Sequence, residues 1–258
     1  MTTIRPGLVG LVPAAGRAMR LGELPQSKEV LPLGPAAGGA ARLVCHDLLD
    51  SYREAGVERA YVVLREGKWD VPAALGDGRA LGVDLAYLVV PPTAGVPFTL
   101  DRAYPFVRGQ EVALGFPDIL LTPRDLLARL RAHHHAAGSE VSLALVPCDR
   151  PEASDLVEVD GTGRVMRFEI KPRVPTLALT WVLALWTPRF TDFLHEWVAA
   201  EAHRATARGR EAHVGNVFAD AVARGLAVSG LELPDGRSLD IGTPESLARA
   251  AAEGWAAR

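Results

Sequence analysis

The chain has 258 residues, of which 48% are apolar and 23% are charged, values that are ordinary for a globular protein. The net charge of −3 argues against a nucleic-acid-binding surface, and no apolar run approaches the ~18 residues of a membrane-spanning helix. Two isolated cysteines, Cys45 and Cys148, indicate neither a disulfide framework nor a zinc site. The N-terminus has no signal-peptide pattern. We therefore expect a cytoplasmic protein without nucleic-acid or membrane partners.

Predicted strands and helices alternate through the first 147 residues. Short apolar runs predict strands at 8–13, 60–64, 84–90, 112–116 and 141–146. Helical spacing predicts helices at 40–55, 98–106 and 124–137. This alternation is typical of βαβ units, so the sequence predicts an α/β fold with a largely parallel sheet and helices on both faces.

The pattern changes after residue 147. Apolar runs on either side of Asp160-Gly161 predict a hairpin of residues 156–159 and 165–170, followed by a long apolar strand at 178–186. Helices at 188–207 and 214–223, a strand at 226–233 and a last helix from Pro244 complete the chain, with Thr243 as a suitable N-cap. No repeat or linker divides the sequence, which predicts a single domain, 1–258.

The loop after the first strand is the most informative segment. Ala14, Ala15 and Gly16 are small enough for a phosphate chain to approach the backbone, whose turn amides can bind an anion. Three cations follow in the same segment: Arg17, Arg20 and Lys28. By itself this pattern could equally be a plain strand-to-helix connector with surface charges, and it is not the GxxxxGK[ST] loop.

In its wider context this loop resembles that of the sugar-phosphate nucleotidyltransferases, or NDP-sugar pyrophosphorylases, and most of all the glucose-1-phosphate thymidylyltransferases. Their loop reads roughly A-G-x-G-T-R-L and then P-K-x-L-L-P, where this chain has A-G-R-A-M-R-L at 15–21 and S-K-E-V-L-P at 27–32. Further short matches follow in the same order along the chain: L-G-D-G at 75–78, L-G-F-P-D at 114–118, E-I-K-P at 169–172 and D-I-G-T-P-E-S-L at 240–247.

The resemblance implies a Rossmann-like doubly wound, mixed but mainly parallel sheet, with residues 1–147 as the nucleotide-binding half and 148–258 as the acceptor-binding half. It also implies a reaction in which an acceptor phosphate attacks the α-phosphorus of a nucleoside triphosphate, with Mg²⁺ as cofactor. A phosphate monoester has a second pKa near ~6 and is already ionised, so alignment and charge neutralisation replace a general base.

The residue roles are carried over from the matching positions. Arg20 would hold the leaving phosphates, Lys28 would bridge the α-phosphate and the acceptor, and Lys171 would bind the acceptor phosphate. Asp118 and Asp240 would be the metal ligands, although either could instead be an ordinary turn residue. The remaining expected contacts are Ala14, Ala15, Gly16, Arg17 and Gly95 for the nucleotide, and Asp155, Glu169 and Trp181, with Lys171, for the acceptor.

The sequence departs from the family at positions that set specificity. Val90 replaces a base-reading glutamine, and Asp155 and Trp181 each replace a glycine of the sugar pocket; the acceptor-side arginine corresponds to Arg208 or Arg210. We expect dTTP or UTP as the nucleotide and a sugar 1-phosphate or similar acceptor, in a homo-oligomer. Cytidylyl or guanylyl transfer to a non-glucose acceptor, and a non-catalytic subunit that binds nucleotide-sugars, are the alternatives.

Overall fold

The centre of the fold is a nine-stranded sheet. The computed structural model describes residues 7–16, 26–35, 41–208 and 211–255, with the side chains of 203–208 left aside. In chain order its strands are β1 (Leu8–Pro13), β2 (Pro32–Pro35), β3 (Ala41–Leu43), β4 (Arg59–Arg65), β5 (Asp84–Val90), β6 (Glu111–Gly115), β7 (Ile119–Thr122), β8 (Val141–Pro147), β9 (Asp155–Val159), β10 (Val165–Ile170), β11 (Leu179–Trp186), β12 (Val228–Glu232) and β13 (Arg237–Asp240).

Strand pairing confirms the mixed, mainly parallel sheet. The order across the sheet is β5, β4, β1, β6, β11, β8 and β12. The β9–β10 hairpin is attached through β9, which also pairs with β11. Strands β5, β4, β1 and β6 are mutually parallel, whereas β11 runs antiparallel to β6, β8 and β9. Outside this sheet, β2 pairs with β3, and β7 pairs with β13 in a ribbon that we call the β7–β13 ribbon.

Helices cover both faces of the sheet, as the sequence predicts. Because strand side chains alternate between faces, Val12 packs into a core with α1, α2 and α5, while Leu11 packs into a second core with α3, α4, α6 and α7. The helices are α1 (His46–Glu54), α2 (Asp70–Leu75), α3 (Val96–Asp101), α4 (Tyr104–Val107), α5 (Leu126–Ala137), α6 (Pro188–Arg208), α7 (Val214–Ala223) and α8 (Pro244–Ala252). Within the described ranges, none is long and apolar enough to span a membrane.

Several predicted boundaries are wrong. The helix expected at 40–55 begins only at His46, because residues 41–43 form β3. The helix expected at 98–106 is divided into α3 and α4, with Pro105 in the first turn of α4. Proline lacks an amide hydrogen and its ring clashes with the preceding turn, so it starts a new helix rather than continuing one. The short elements α2, β7 and β13 were not predicted.

Tyr52 of α1 fixes the central strands. Its side chain is fully buried, and its hydroxyl lies 3.0 Å from the carbonyl oxygen of Leu11 on β1 and 2.9 Å from that of Ala113 on β6. Gly10 makes room for this ring, since a Cβ there would lie 2.3 Å from the Cε2 atom of Tyr52. The two strands that lead into the candidate site are thus held by one aromatic side chain.

Candidate functional site

The candidate site lies at the carboxyl edge of the sheet. Strands β1, β4 and β6 are neighbouring and parallel, so the loops that follow them meet at one edge, which is where open α/β sheets bind ligands. These loops carry Ala14 to Gly16, Lys68 and Asp118 respectively.

The first loop begins as a tightly held backbone. The Ala14 amide donates to the Val63 carbonyl at 2.8 Å, and the Ala14 carbonyl accepts from Nζ of Lys68 at 2.7 Å. Ala14 is buried, Ala15 is half-buried and Gly16 is exposed, and no atom of the described residues lies within 4 Å of the place where a Cβ on Gly16 would stand. The predicted cations Arg17 and Arg20 lie outside the described residues.

Lys28 stands on a short 3₁₀ helix, Lys28–Val30, and its ammonium contacts Oδ2 of Asp118. Two opposing effects act on the pKa of Lys28. Burial lowers this pKa, whereas the carboxylates of Asp118, Glu29 and Asp240 together raise it by more, so the net shift is upward. The ammonium therefore stays charged at neutral pH. This arrangement provides a fixed cation next to a candidate metal ligand.

Asp118 and Asp240 are brought together by the β7–β13 ribbon. Asp240 pairs with Ile119 in that ribbon, and the amide of Ile241 donates to the Asp118 carbonyl at 2.8 Å. Both aspartates line one cavity. Among the described residues no group of three or more His, Cys, Asp or Glu side chains could hold a metal. Two carboxylates open to a cavity are a donor set that fits Mg²⁺, which keeps several waters and takes few protein ligands.

The cavity beside these aspartates has a volume of about 260 Å³ and includes most of the predicted acceptor residues. Asp155, Lys171 and Trp181 line it, together with Phe116 and His213. The Trp181 ring packs against Phe116 with centroids 5.7 Å apart and edge-on against Phe218 at 5.2 Å. The indole is buried and forms a wall of the cavity.

Lys171 adopts an unusual backbone conformation. Its φ of 44° is left-handed, the only such value outside glycine in the described part of the chain. Its amide donates to the Ser154 carbonyl at 3.1 Å, and its Nζ lies 3.3 Å from Nδ1 of His213. A left-handed lysine costs conformational energy, and such strain is concentrated at functional sites. Burial and the positive charge of Lys171 lower the pKa of His213.

Asp155 lines the cavity, and its carboxylate is largely buried. Its Oδ2 accepts from the Gly215 amide at 3.3 Å, while its Oδ1 is buried without a hydrogen-bond partner among the described residues. A Cβ on Gly215 would lie 2.6 Å from Oδ2, so glycine permits this approach. Burial raises the pKa of Asp155, and the charges of His213 and Lys171 counteract that rise. An unpartnered buried oxygen is costly to the fold.

Two predicted site residues, Glu169 and Gly95, have contacts outside the cavity. The carboxylate of Glu169 accepts hydrogen bonds from Thr176 and from Arg167, and these bonds lower the pKa of Glu169 to about 2. Gly95 has a φ of 138°, and a Cβ there would lie 2.3 Å from the Ala212 carbonyl oxygen. Neither residue is among those that line the cavity. The two possible acceptor-side arginines are Arg208 and Arg210. Arg210 and the side chain of Arg208 lie outside the part of the chain that the structure describes.

Sequence reasoning missed three residues of this region. His213 precedes a predicted helix and shares a capping box with Asn216, a signal that identifies a helix start but not a ligand. Phe116 lies within the matched L-G-F-P-D segment. Lys68 is buried although it belongs to a polar stretch, G-K-W-D, that would ordinarily be read as a surface turn.

Comparison with known proteins identifies the family of this chain. The family model described as nucleotidyl transferase matches residues 9–254. The low-salt glycan biosynthesis nucleotidyltransferase Agl11 of Haloferax volcanii is 24% identical over 93% of this chain, and the glucose-1-phosphate thymidylyltransferase of Streptomyces antibioticus is 25% identical over 59% of it. The matched regions span 64% and 42% of those two relatives' own lengths.

The fold is shared with a Bacillus anthracis protein described as a glucose-1-phosphate thymidylyltransferase and crystallised with sucrose. The two structures superpose with a TM-score of 0.82 over 96% of each chain at 18% sequence identity. Since the family model covers nearly the whole sequence, the chain belongs to the nucleotidyl transferase family, within the NDP-sugar pyrophosphorylase superfamily.

Proposed function

We propose that this chain is a magnesium-dependent nucleotidyltransferase that joins the nucleoside monophosphate of dTTP or UTP to a sugar 1-phosphate or similar acceptor. The observation that carries the proposal is a cavity lined by Asp118, Asp240 and Lys171, where Asp118 also contacts the ammonium of Lys28. Carboxylates for a metal and two lysines for phosphates are the parts that phosphoryl-type transfer requires.

In the proposed reaction an acceptor phosphate oxygen bonds to the α-phosphorus, and the bond from that phosphorus to the β-phosphate oxygen breaks. Pyrophosphate leaves, and no proton needs to be removed from an ionised phosphate. Lys28 exchanges its contact with Asp118 for the α-phosphate and the acceptor phosphate. Asp118 and Asp240 would hold Mg²⁺, which neutralises phosphate charge as it develops.

Lys171 and His213 together would hold the acceptor phosphate. The ammonium of Lys171 lies beside the His213 ring, and both residues line the cavity. A bound phosphate would accept hydrogen bonds from both, in place of the contact between them. Oδ1 of Asp155 would accept from a hydroxyl or amino group of the acceptor, and the wall made by Trp181 favours an acceptor other than glucose 1-phosphate.

The test is pyrophosphate release by the purified protein with Mg²⁺. Each nucleoside triphosphate, dTTP and UTP first, is combined with a panel of sugar 1-phosphates and other small phosphomonoesters. Release with one pair, lost in Asp118→Asn but kept in the exposed control Asp77→Asn, is the expected result. Absence of release with every pair, together with no magnesium-dependent nucleotide binding, would overturn the proposal.

A further inference from the structure

A buried ion pair contacts the backbone of the loop that follows β1. Lys68 and Glu29 are 4% and 2% exposed, and Nζ of Lys68 lies 2.7 Å and 2.6 Å from the two carboxylate oxygens of Glu29. The same Nζ donates to the Ala14 carbonyl at 2.7 Å. An ammonium has three hydrogens, and all three are used inside the protein, so Lys68 has none left for a substrate.

The second residue of this arrangement is two positions further along. Asp70, at the start of α2, accepts from the backbone amide of Ser27 through Oδ2 and from its hydroxyl through Oδ1 at 2.9 Å. Lys68 and Asp70 both follow β4, which is the parallel neighbour of β1. The short segment that carries Lys68 and Asp70 therefore contacts the chain at two places. It contacts Ala14 just after β1, and it contacts Ser27 and Glu29 just before β2.

Lys28 stands between these anchored residues. Ser27 is bound by Asp70 and Glu29 by Lys68, so the backbone that carries Lys28 is held from both sides. The carbonyl of Glu29 also accepts from the Cys45 amide at 2.9 Å, which attaches the 3₁₀ helix to the start of α1. The position of the Lys28 ammonium beside Asp118 thus depends on Lys68 and Asp70, which do not line the cavity.

We propose that Lys68 and Asp70 are positioning residues that fix the two ends of the loop from Ala14 to Lys28 and thereby place Lys28 for catalysis. The proposal rests on the proposed function only in assigning Lys28 to the substrate phosphates. Misplacement of a catalytic group by about 1 Å costs on the order of 100-fold in rate. We call the Lys68–Glu29 ion pair and the Asp70–Ser27 hydrogen bonds the clamp. Loss of the clamp therefore lowers kcat by about this factor.

The experiment separates positioning from stability. Lys68→Met alone leaves the Glu29 carboxylate buried without its partner and lowers the unfolding midpoint. The double variant Lys68→Met with Glu29→Gln removes both charges and recovers most of that midpoint, yet its kcat stays about 100-fold low. Asp70→Ala lowers kcat with a smaller change in midpoint. The control Asp84→Ala alters an exposed aspartate at the amino end of β5 and keeps wild-type kcat.

Hydrogen exchange provides a readout that needs no activity. The amides of Ala14, Val30 and Leu31 are hydrogen-bonded, and they exchange faster in the double variant than in the wild type or in Asp84→Ala. If the double variant recovers both the unfolding midpoint and kcat, the proposed positioning role is wrong. Unchanged hydrogen exchange at the three amides would refute it as well. If the wild-type protein releases no pyrophosphate, the proposed function fails, and the exchange rates still decide whether the clamp holds the loop.

Discussion

The free energy of unfolding should depend on pH through His134. This imidazole, on α5, is 3% exposed, and its Nδ1 lies 2.8 Å from the Ser142 hydroxyl, which lies 2.9 Å from that of Ser229. Burial lowers the pKa of His134 to about 4, from 6.5, and the neighbouring Glu111 and Glu140 counteract only part of this shift. The folded protein therefore keeps the ring neutral at pH values where the unfolded chain protonates it.

The sign and size of the effect follow from linkage. Above pH 6.5 the ring is neutral in both states and contributes no pH dependence. As the pH falls from 6.5 towards 4, the unfolded chain binds a proton that the folded protein does not, and the free energy of unfolding decreases. At roughly 1.4 kcal/mol per pH unit, the whole interval corresponds to about 3 kcal/mol.

The assay is urea unfolding at pH 7 and pH 4.5 for the wild type, His134→Gln and the control His135→Gln on the same helix. Other groups also titrate in this interval, so the informative quantity is the difference between each variant and the wild type. We expect His134→Gln to lose about 2 to 3 kcal/mol less than the wild type on acidification. His135→Gln should parallel the wild type. Equal losses in the wild type and His134→Gln would refute the reasoning.

Three further predictions concern single side chains. Tyr52→Phe removes the hydroxyl that contacts two buried carbonyls and should lower the free energy of unfolding in denaturant by about 1–3 kcal/mol. The control Tyr87→Phe should lower it by under about 0.5 kcal/mol. Equal effects of the two substitutions would contradict this prediction. His213→Asn should raise KM for the acceptor about tenfold and leave KM for the nucleotide unchanged, and an effect on the nucleotide alone would remove His213 from the acceptor site. Trp181→Ala should cost about 3–5 kcal/mol and shift the acceptor preference towards bulkier phosphates; an unchanged preference would mean that the indole does not define the pocket.

The sequence predicts the sheet well because its strands are long and apolar. Runs such as 84–90 and 141–146 have a clear pattern, and the structure confirms strands there. The β7–β13 ribbon could not be predicted, since each strand has only four residues and the pairing joins distant parts of the chain. For the same reason the proximity of Asp118 and Asp240 came from the family resemblance rather than from local pattern.

Side-chain environments were the least predictable level. Lys68 would be read from its sequence as an exposed cation, because nothing local indicates that Glu29 will lie against it in the fold. The hydrogen bonds that the carboxylate of Glu169 accepts from Thr176 and Arg167 were likewise not predictable from the sequence, and its binding of the acceptor stays a prediction. Both outcomes depend on tertiary partners that sequence spacing does not reveal, and the roles of the site residues remain predictions.

The β7–β13 ribbon has a consequence for how the candidate metal site is assembled. Asp118 follows a strand in the first half of the chain, whereas Asp240 ends the last strand, close to the C-terminal helix. A third core joins this ribbon to β2 and to Trp255, near the end of the described chain. The two carboxylates can therefore meet only after the final segment has docked. On the proposed function, a nascent or C-terminally shortened chain would have Asp118 without Asp240, the second proposed metal ligand, so we expect divalent-cation binding only after the last segment has folded.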